Sequence, residues 1–256
     1  MSDCTRQEIM AVTAAKEFRD GDVAFIGTGL PMVAAYLAKF SHAPSAVLVF
    51  ESGIVDARPR ELATGVGDLR LLEGCVKATG LYYALSLLQG GFVDIGFLGG
   101  AEVDEYGNIN STVIGDYARP RVRFPGSGGA NDIGSLAGRL VIMMPHEGRR
   151  LVRRVQYLTT PGFLDGPGGR ERAGLRGEGP VRVITDLAVL DFDPASKRMR
   201  LVSVHPGVTL ADVEERTGFP LLRAAEIGTT PQPGPAEIRL LRERVDPEGF
   251  YIGKRR

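Results

Sequence analysis

Apolar positions in residues 7–19, QEIMAVTAAKEFR, recur at helical spacing through Ile9, Val12, Ala15 and Phe18, and Asp20-Gly21 ends the pattern as a helix stop. The next apolar run, VAFIG at 23–27, is short and continuous, which predicts a buried strand. A glycine turn and the apolar segment TGLPMVAAYLAKF follow, predicting a helix. VLVFE at 47–51 is then a second buried strand. Strand, helix and strand in this order form a βαβ unit with parallel strands, so Glu51 is expected at the carboxyl end of a parallel strand. Open α/β sheets bind ligands in the crevice beyond those ends.

The alternation continues with a helix over LYYALSLLQGG (81–91), a buried strand in VDIGFLGG (93–100) and another in RLVIMMP (139–145). Between them, AEVDEYGNINSTVIGDY and PRVRFPGSGGAND read as a long loop-rich part. The stretch TTPGFLDGPGGRERAGLRGEGP (159–180) is glycine-dense and too irregular for core. VRVITDLAVLDFDPASKRMRLVSVHP (181–206) alternates around a DPASK turn, predicting a β-hairpin or sheet extension. ADVEERTGF and AEIRLLRERVDP read as closing amphipathic helices. The expectation is one α/β domain over residues 1–256, an open and largely parallel sheet with helices on both faces and long glycine-rich loops.

Composition narrows the function. Lys+Arg and Asp+Glu each number 31, so no global field gathers nucleic acid or anionic lipid. The two cysteines, Cys4 and Cys75, and three histidines have no metal-ligand or disulfide spacing, so no metal is expected and a reducing cytoplasm is the simple reading. No run of about 18 apolar residues predicts a membrane span. The N-terminal segment lacks the basic head and pure apolar core of a secretory signal. Cys75 is expected to fill core.

GTGLPM (27–32) resembles a dinucleotide fingerprint but has Met32 at the third glycine position, which favours a tight βα turn with Pro31 in the first helical turn. His42, His146 and His205 read as satisfied surface or turn histidines, with His146 placed to cap or to pair with Glu147, so an imidazole-based hydrolase is disfavoured. Carboxylates remain. Glu102, Asp104 and Glu105 read as a solvated loop around a YGN turn. In GSGGAN (126–131) consecutive glycines let backbone N–H groups converge on a developing negative charge, with a plain flexible loop as the alternative.

GTGLP (27–31), FESG (50–53), GDLR (67–70), LGGAEVDEYGNINSTVIGDY (98–117), RFPGSGGAND (123–132), HEGRR (146–150) and TTPGFLDGPGGRER (159–172) together resemble the family I coenzyme A transferases, and within them the beta subunits of the glutaconate type. The resemblance runs nearly end to end. It implies that Glu51 is the nucleophile and that the loop at Gly128 and Gly129 gives main-chain donors near the reacting carbonyl. Ser52, Gly53, Gly27, Gly29, Asn108, Asn110 and Ala130 are implied to shape the pocket for coenzyme A or substrate.

The implied reaction moves coenzyme A between an acyl-CoA and a dicarboxylic acid such as glutaconate through a glutamyl-CoA thioester. It needs no metal or redox cofactor, with coenzyme A and acyl-CoA as substrates. An alpha subunit in a heterotetramer or heterooctamer is the implied partner, and the 159–180 loop is expected to become ordered against it. The alternatives are an acyl-CoA hydrolase or decarboxylase subunit of the same fold, and a noncatalytic partner that only stabilises an alpha subunit.

Overall fold

The structure, a computed structural model, describes residues 4–27 and 29–253. The chain divides into two compact units. One runs up to Phe97 and takes in the segment from Gln232 onward; the other is Leu98–Pro231.

The first unit opens with α1 (Arg6–Ala15), started by a capping box in which Thr5 and Glu8 satisfy each other's backbone N–H groups. Three parallel strands follow as the apolar runs predict: β1 (Val23–Ile26) lies between β2 (Val47–Phe50) and β5 (Ile95–Leu98). Their side chains are almost all buried, as strands covered on both faces require. Helix α2 (Leu30–Lys39) links β1 to β2 and packs on α1. Beyond β2 the sheet continues antiparallel through two short strands, β3 (Ile54–Val55) and β4 (Lys77–Ala78), with a 3-10 turn at Leu69–Leu72 between them. Helix α3 (Leu81–Gln89) then leads to β5.

In the second unit, the part expected to be loop is folded into small sheets. Strands β6 (Glu102–Asp104) and β7 (Ile109–Asn110) form a hairpin, β8 (Val113–Gly115) and β9 (Pro120–Arg123) form another, and helix α4 (Ala130–Leu136) follows the glycine run. Strand β10 (Arg139–Met143) is next, and β11 (Leu151–Val152) pairs parallel with β6. After the short helix α5 (Gly169–Arg172) come β12 (Pro180–Ile184), β13 (Ala188–Phe192) and β14 (Met199–Val204). Strand β12 is parallel to β10, and the expected hairpin is the antiparallel pair β13–β14. Its DPASK turn is closed by Asp193, which accepts from the Ser196 N–H and hydroxyl. Helix α6 (Leu210–Glu215) precedes β15 (Leu222–Thr229), an exposed strand parallel to β14.

The chain then returns to the first unit as α7 (Pro235–Leu240), which runs on as a π-turn through Val245. Arg242 in that turn is held by the buried Glu8 of α1, with Nη2 2.9 Å from Oε2. Among the described residues no helix is long and apolar enough to cross a membrane.

Candidate active site

The site residues expected in the first unit gather at the carboxyl ends of β1 and β2. Ile26 pairs with Phe50, so Gly27 and Glu51 are the next residues out along neighbouring parallel strands. A Cβ on Gly27 would lie 3.3 Å from the Phe97 carbonyl of β5, which explains the small residue. Gly29, at φ +87°, is the residue before α2, and Pro31 stands in the first turn of the helix, as expected for a tight βα turn. Thr28 lies outside the described residues.

Glu51 is half-buried in a three-residue loop that joins β2 to β3. The Gly53 N–H donates to the Phe50 carbonyl at 2.9 Å and closes the turn. Gly53 has φ +94°, and a Cβ there would fall 2.5 Å from the Gly80 backbone, so both conformation and space demand glycine. Its carbonyl accepts from the Thr79 N–H at 3.0 Å and from the Thr79 hydroxyl at 2.6 Å. Ser52 carries a buried hydroxyl with no hydrogen-bond partner among the described residues. Such orphans are uncommon and mark positions whose partner is supplied from outside the chain or by water.

In the second unit the glycine run is a turn into α4. Gly126 and Gly128 adopt φ +99° and +48°, and Gly129 is the residue before the helix. Gly128 is exposed, Gly129 is buried, and the Ala130 N–H already donates to the Ser127 carbonyl at 2.9 Å. The run is pinned from outside. Ser111 bonds Gly126 through both its hydroxyl and its carbonyl, and the Asn131 amide donates to the Thr159 carbonyl at 2.9 Å. Arg170 Nη1 donates to the carbonyls of Gly134 in α4 (3.1 Å) and Gly162 (3.0 Å), and Nη2 donates to that of Arg176.

These bonds correct the reading of the 159–180 stretch. Thr159, Thr160, Phe163 and Arg170 are all buried, so residues 159–170 are anchored within their own unit, while most of 171–178 is exposed. Irregular backbone becomes core here because a guanidinium and several amides satisfy carbonyls that a strand or helix would otherwise pair. Thr159 and Arg170 are the supporting residues that sequence reasoning missed; an arginine within a glycine-dense run was the one available signal.

The carboxylates expected to be solvated are buried instead. Glu102 and Asp104 are each 2% exposed, and Glu105 is buried as well. Glu102 accepts from the Asn110 amide (2.7 Å) and from the backbone and side-chain nitrogens of Gln156 (3.0 and 2.7 Å). Asp104 accepts from the N–H groups of Tyr106 and Asn108, each at 3.0 Å, and from the Asn108 amide. Burial pushes the Asp104 carboxyl up to about 6, against the pull of those donors. Glu105 is paired with Arg198 at 2.6 Å.

Asn108 and Asn110 turn out to be internal ties. The Asn108 amide donates to Asp104 and to the Leu164 carbonyl, and its oxygen accepts from the N–H groups of Gly162 and Leu164. Asn110, fully buried, donates to Glu102 and the Val113 carbonyl and accepts from the N–H groups of Thr112 and Val113. All four hydrogen-bonding positions of each amide are occupied. Their service to a pocket is therefore to hold its loops, with no group left over for a ligand.

The histidine and cysteine expectations also shift. His146 is 1% exposed, with its ring nitrogens 2.9 and 3.0 Å from the hydroxyls of Thr185 and Thr217, and burial lowers its pKa to about 4. His205 is buried too, bonded to the Thr230 hydroxyl and the Thr185 carbonyl. Both are satisfied as expected, but inside the fold and not at its surface. Cys75 is half-exposed and not core. Among the described residues no group of three or more His, Cys, Asp or Glu side chains is arranged to hold a metal ion.

Residues 7–216 match the coenzyme A transferase family. The B-type subunit of the glutaconate CoA-transferase of Acidaminococcus fermentans is 44% identical over 97% of this chain and 95% of its own. The B-type subunit of the 3-oxoadipate CoA-transferase of Pseudomonas knackmussii is 41% identical over 94% of each. The crystal structure of the A. fermentans glutaconate coenzyme A-transferase superposes with a TM-score of 0.94 over 99% of both chains at 42% identity.

Proposed function

The chain belongs to the coenzyme A transferase family, and from that premise we propose that it is the B-type subunit of an enzyme that moves coenzyme A from an acyl-CoA to a carboxylic acid, with Glu51 as nucleophile. The observation that carries this reading is how Glu51 is presented: half-buried, at the carboxyl end of a parallel strand, in a turn that only glycine at position 53 permits. Dicarboxylic acids of the glutaconate or 3-oxoadipate kind are the proposed acceptors, after the two relatives at 44% and 41% identity. The proposed partner is an A-type (alpha) subunit, in a heterotetramer or heterooctamer in the cytoplasm.

In the proposed cycle a Glu51 carboxylate oxygen attacks the thioester carbonyl of the acyl-CoA. The tetrahedral oxyanion collapses with loss of the coenzyme A thiolate and leaves an acyl-glutamyl anhydride. The thiolate then attacks the glutamyl carbonyl, expels the acid as its carboxylate, and leaves a glutamyl-CoA thioester. An acceptor carboxylate runs the steps backwards. No cofactor beyond these substrates is required, and the two half-reactions give ping-pong kinetics.

Each step develops an oxyanion, and the main-chain N–H groups of Gly128 and Gly129 are its proposed donors, an effect typically worth about 3–4 kcal/mol per donor in such sites. The exposed, left-handed Gly128 supports that role, since its N–H meets no acceptor among the described residues. The test is turnover of Glu51→Ala and Glu51→Asp in complex with the partner subunit. Glu51→Ala is expected to lose turnover by on the order of a thousandfold or more. Glu51→Asp, whose carboxylate is withdrawn by about an ångström, is expected to lose roughly a hundredfold. An intact complex that turns over normally with Glu51→Ala would make this chain a noncatalytic partner.

A further inference from the structure

The hairpin that displays Glu51 is held at both ends by groups outside it. At its base stands Asp56, buried and at φ +53°, an uncommon conformation for a residue with a side chain. Its N–H donates to the Leu48 carbonyl at 2.7 Å, and Oδ1 meets the buried Lys39 ammonium of α2 at 2.7 Å. The same ammonium donates to the Ala46 carbonyl at 2.6 Å, so the pair fixes where β2 begins and β3 ends. At the tip stands Thr79, which directs two donors onto the Gly53 carbonyl, while the Gly80 backbone closes the space that a Gly53 side chain would need.

The two Thr79 bonds are not equivalent. The N–H bond extends the β3–β4 pairing, and any residue except proline would supply it. The hydroxyl bond at 2.6 Å is particular to threonine or serine and adds nothing to the pairing. Both lone pairs of the Gly53 carbonyl are engaged, so the peptide plane that follows the turn cannot tilt without breaking a bond. The segment that provides them is marginal for stability: β4 is two residues long, and both are exposed. A bond that lies outside the strand pairing and fixes the turn two residues from Glu51 acts on geometry.

We propose that Thr79 is a positioning residue whose hydroxyl, by locking the Gly53 carbonyl, sets the direction in which Glu51 leaves the strand. This rests on the reading of Glu51 as nucleophile. A nucleophile must approach to roughly 3–3.5 Å along the right line, and a misplacement of about an ångström can cost about a hundredfold.

The test uses the complex with its partner subunit, glutaryl-CoA as donor and glutaconate as acceptor. Thr79→Val removes the hydroxyl and keeps the shape; Thr79→Ser keeps the hydroxyl. Thr79→Val is expected to lose kcat by about ten- to a hundredfold, with KM for glutaryl-CoA within about twofold and the thermal midpoint unchanged. Thr79→Ser is expected to stay within about threefold of the parent kcat. Should Thr79→Val fail to assemble, Thr79→Ala is read by the same kcat and KM split.

Parent-like kcat in Thr79→Val, an equal loss in Thr79→Ser, or a lowered thermal midpoint with unchanged kcat per folded complex would each overturn the proposal. Glu51→Ala, measured alongside, separates the two readings. If it retains turnover, the nucleophile assignment fails and the Thr79 role with it. If it is inactive while Thr79→Val is fully active, only the Thr79 role fails.

Discussion

The Glu51 hairpin is fixed mainly by main chain, through strand pairing, a closed turn and glycine backbones in contact at positions 53 and 80, whereas the loops around Gly128 are fixed mainly by buried side chains, Asn108, Asn110, Glu102, Asp104 and Arg170. Main-chain fixation follows from periodicity and turn chemistry, and it tolerates no added atoms. Side-chain fixation depends on every polar group finding its partner, and it is sensitive to charge and pH. The two regions should therefore fail in different ways.

The largest effect is expected from Gly53→Ala. A methyl group there meets the Gly80 backbone at 2.5 Å and must also adopt φ +94°. Strain and overpacking together should cost about 4 kcal/mol. The checks are urea denaturation, which should show the loss, and turnover of the folded fraction, which should fall with it. Near-parent stability would mean that the hairpin can open without penalty and is not main-chain locked.

Asn108→Ala probes the other mode. It removes the partner of the Leu164 carbonyl and of the N–H groups of Gly162 and Leu164, takes one donor from Asp104, and should lower stability by about 3 kcal/mol in the same denaturation series. A loss below about 1 kcal/mol would mean that water replaces the amide and that these loops are looser than their bonds imply.

Acid and base probe the side-chain mode alone, since the two buried titrating groups, Asp104 and His146, both belong to the second unit. Asp104 titrates near 6 in the folded chain against about 3.9 unfolded, so its contribution to stability is full below about pH 4 and is lost as pH rises through 6. His146 titrates near 4 against about 6.5 unfolded, so its contribution is full above about pH 6.5 and is lost as pH falls through 4. Each amounts to roughly 3 kcal/mol, and across pH 4–6 they oppose each other. Asp104→Asn should therefore make stability fall more steeply than in the parent as pH drops from 6 to 4. Parallel stability–pH curves for parent and variant would show that Asp104 is ionised normally in the fold.

The smallest effect sharpens the first. Gly21 has φ +86° with nothing near a would-be Cβ, so Gly21→Ala carries conformational strain alone, about 1 kcal/mol, and should leave turnover untouched. The difference between Gly53→Ala and Gly21→Ala measures the close approach to Gly80.

The same contrast explains what the sequence made legible. The βαβ unit, the strand mouth at Glu51, the Pro31 turn and the β13–β14 hairpin follow from apolar runs and turn residues, and each is found where the pattern puts it. Glu102, Asp104 and the 159–180 stretch were misread because charge and glycine content signal exposure, while partners that neutralise a buried group lie far off in sequence; Glu102 meets Gln156, and Asn108 meets Leu164. The exposed strand β15, LRAAEIGT, has little β-branched or aromatic content to announce it, and its pairing with β14 decides its form. Thr79 was equally silent, since a hydroxyl becomes informative only once its acceptor is known.

The most direct measurement is a peptide mass spectrum of this chain, in complex with its partner subunit and mixed with glutaryl-CoA, with and without borohydride trapping. A coenzyme A thioester on the peptide that contains Glu51, converted by borohydride to the corresponding alcohol, is the predicted result. An unmodified Glu51 peptide in a complex that turns over would contradict the account.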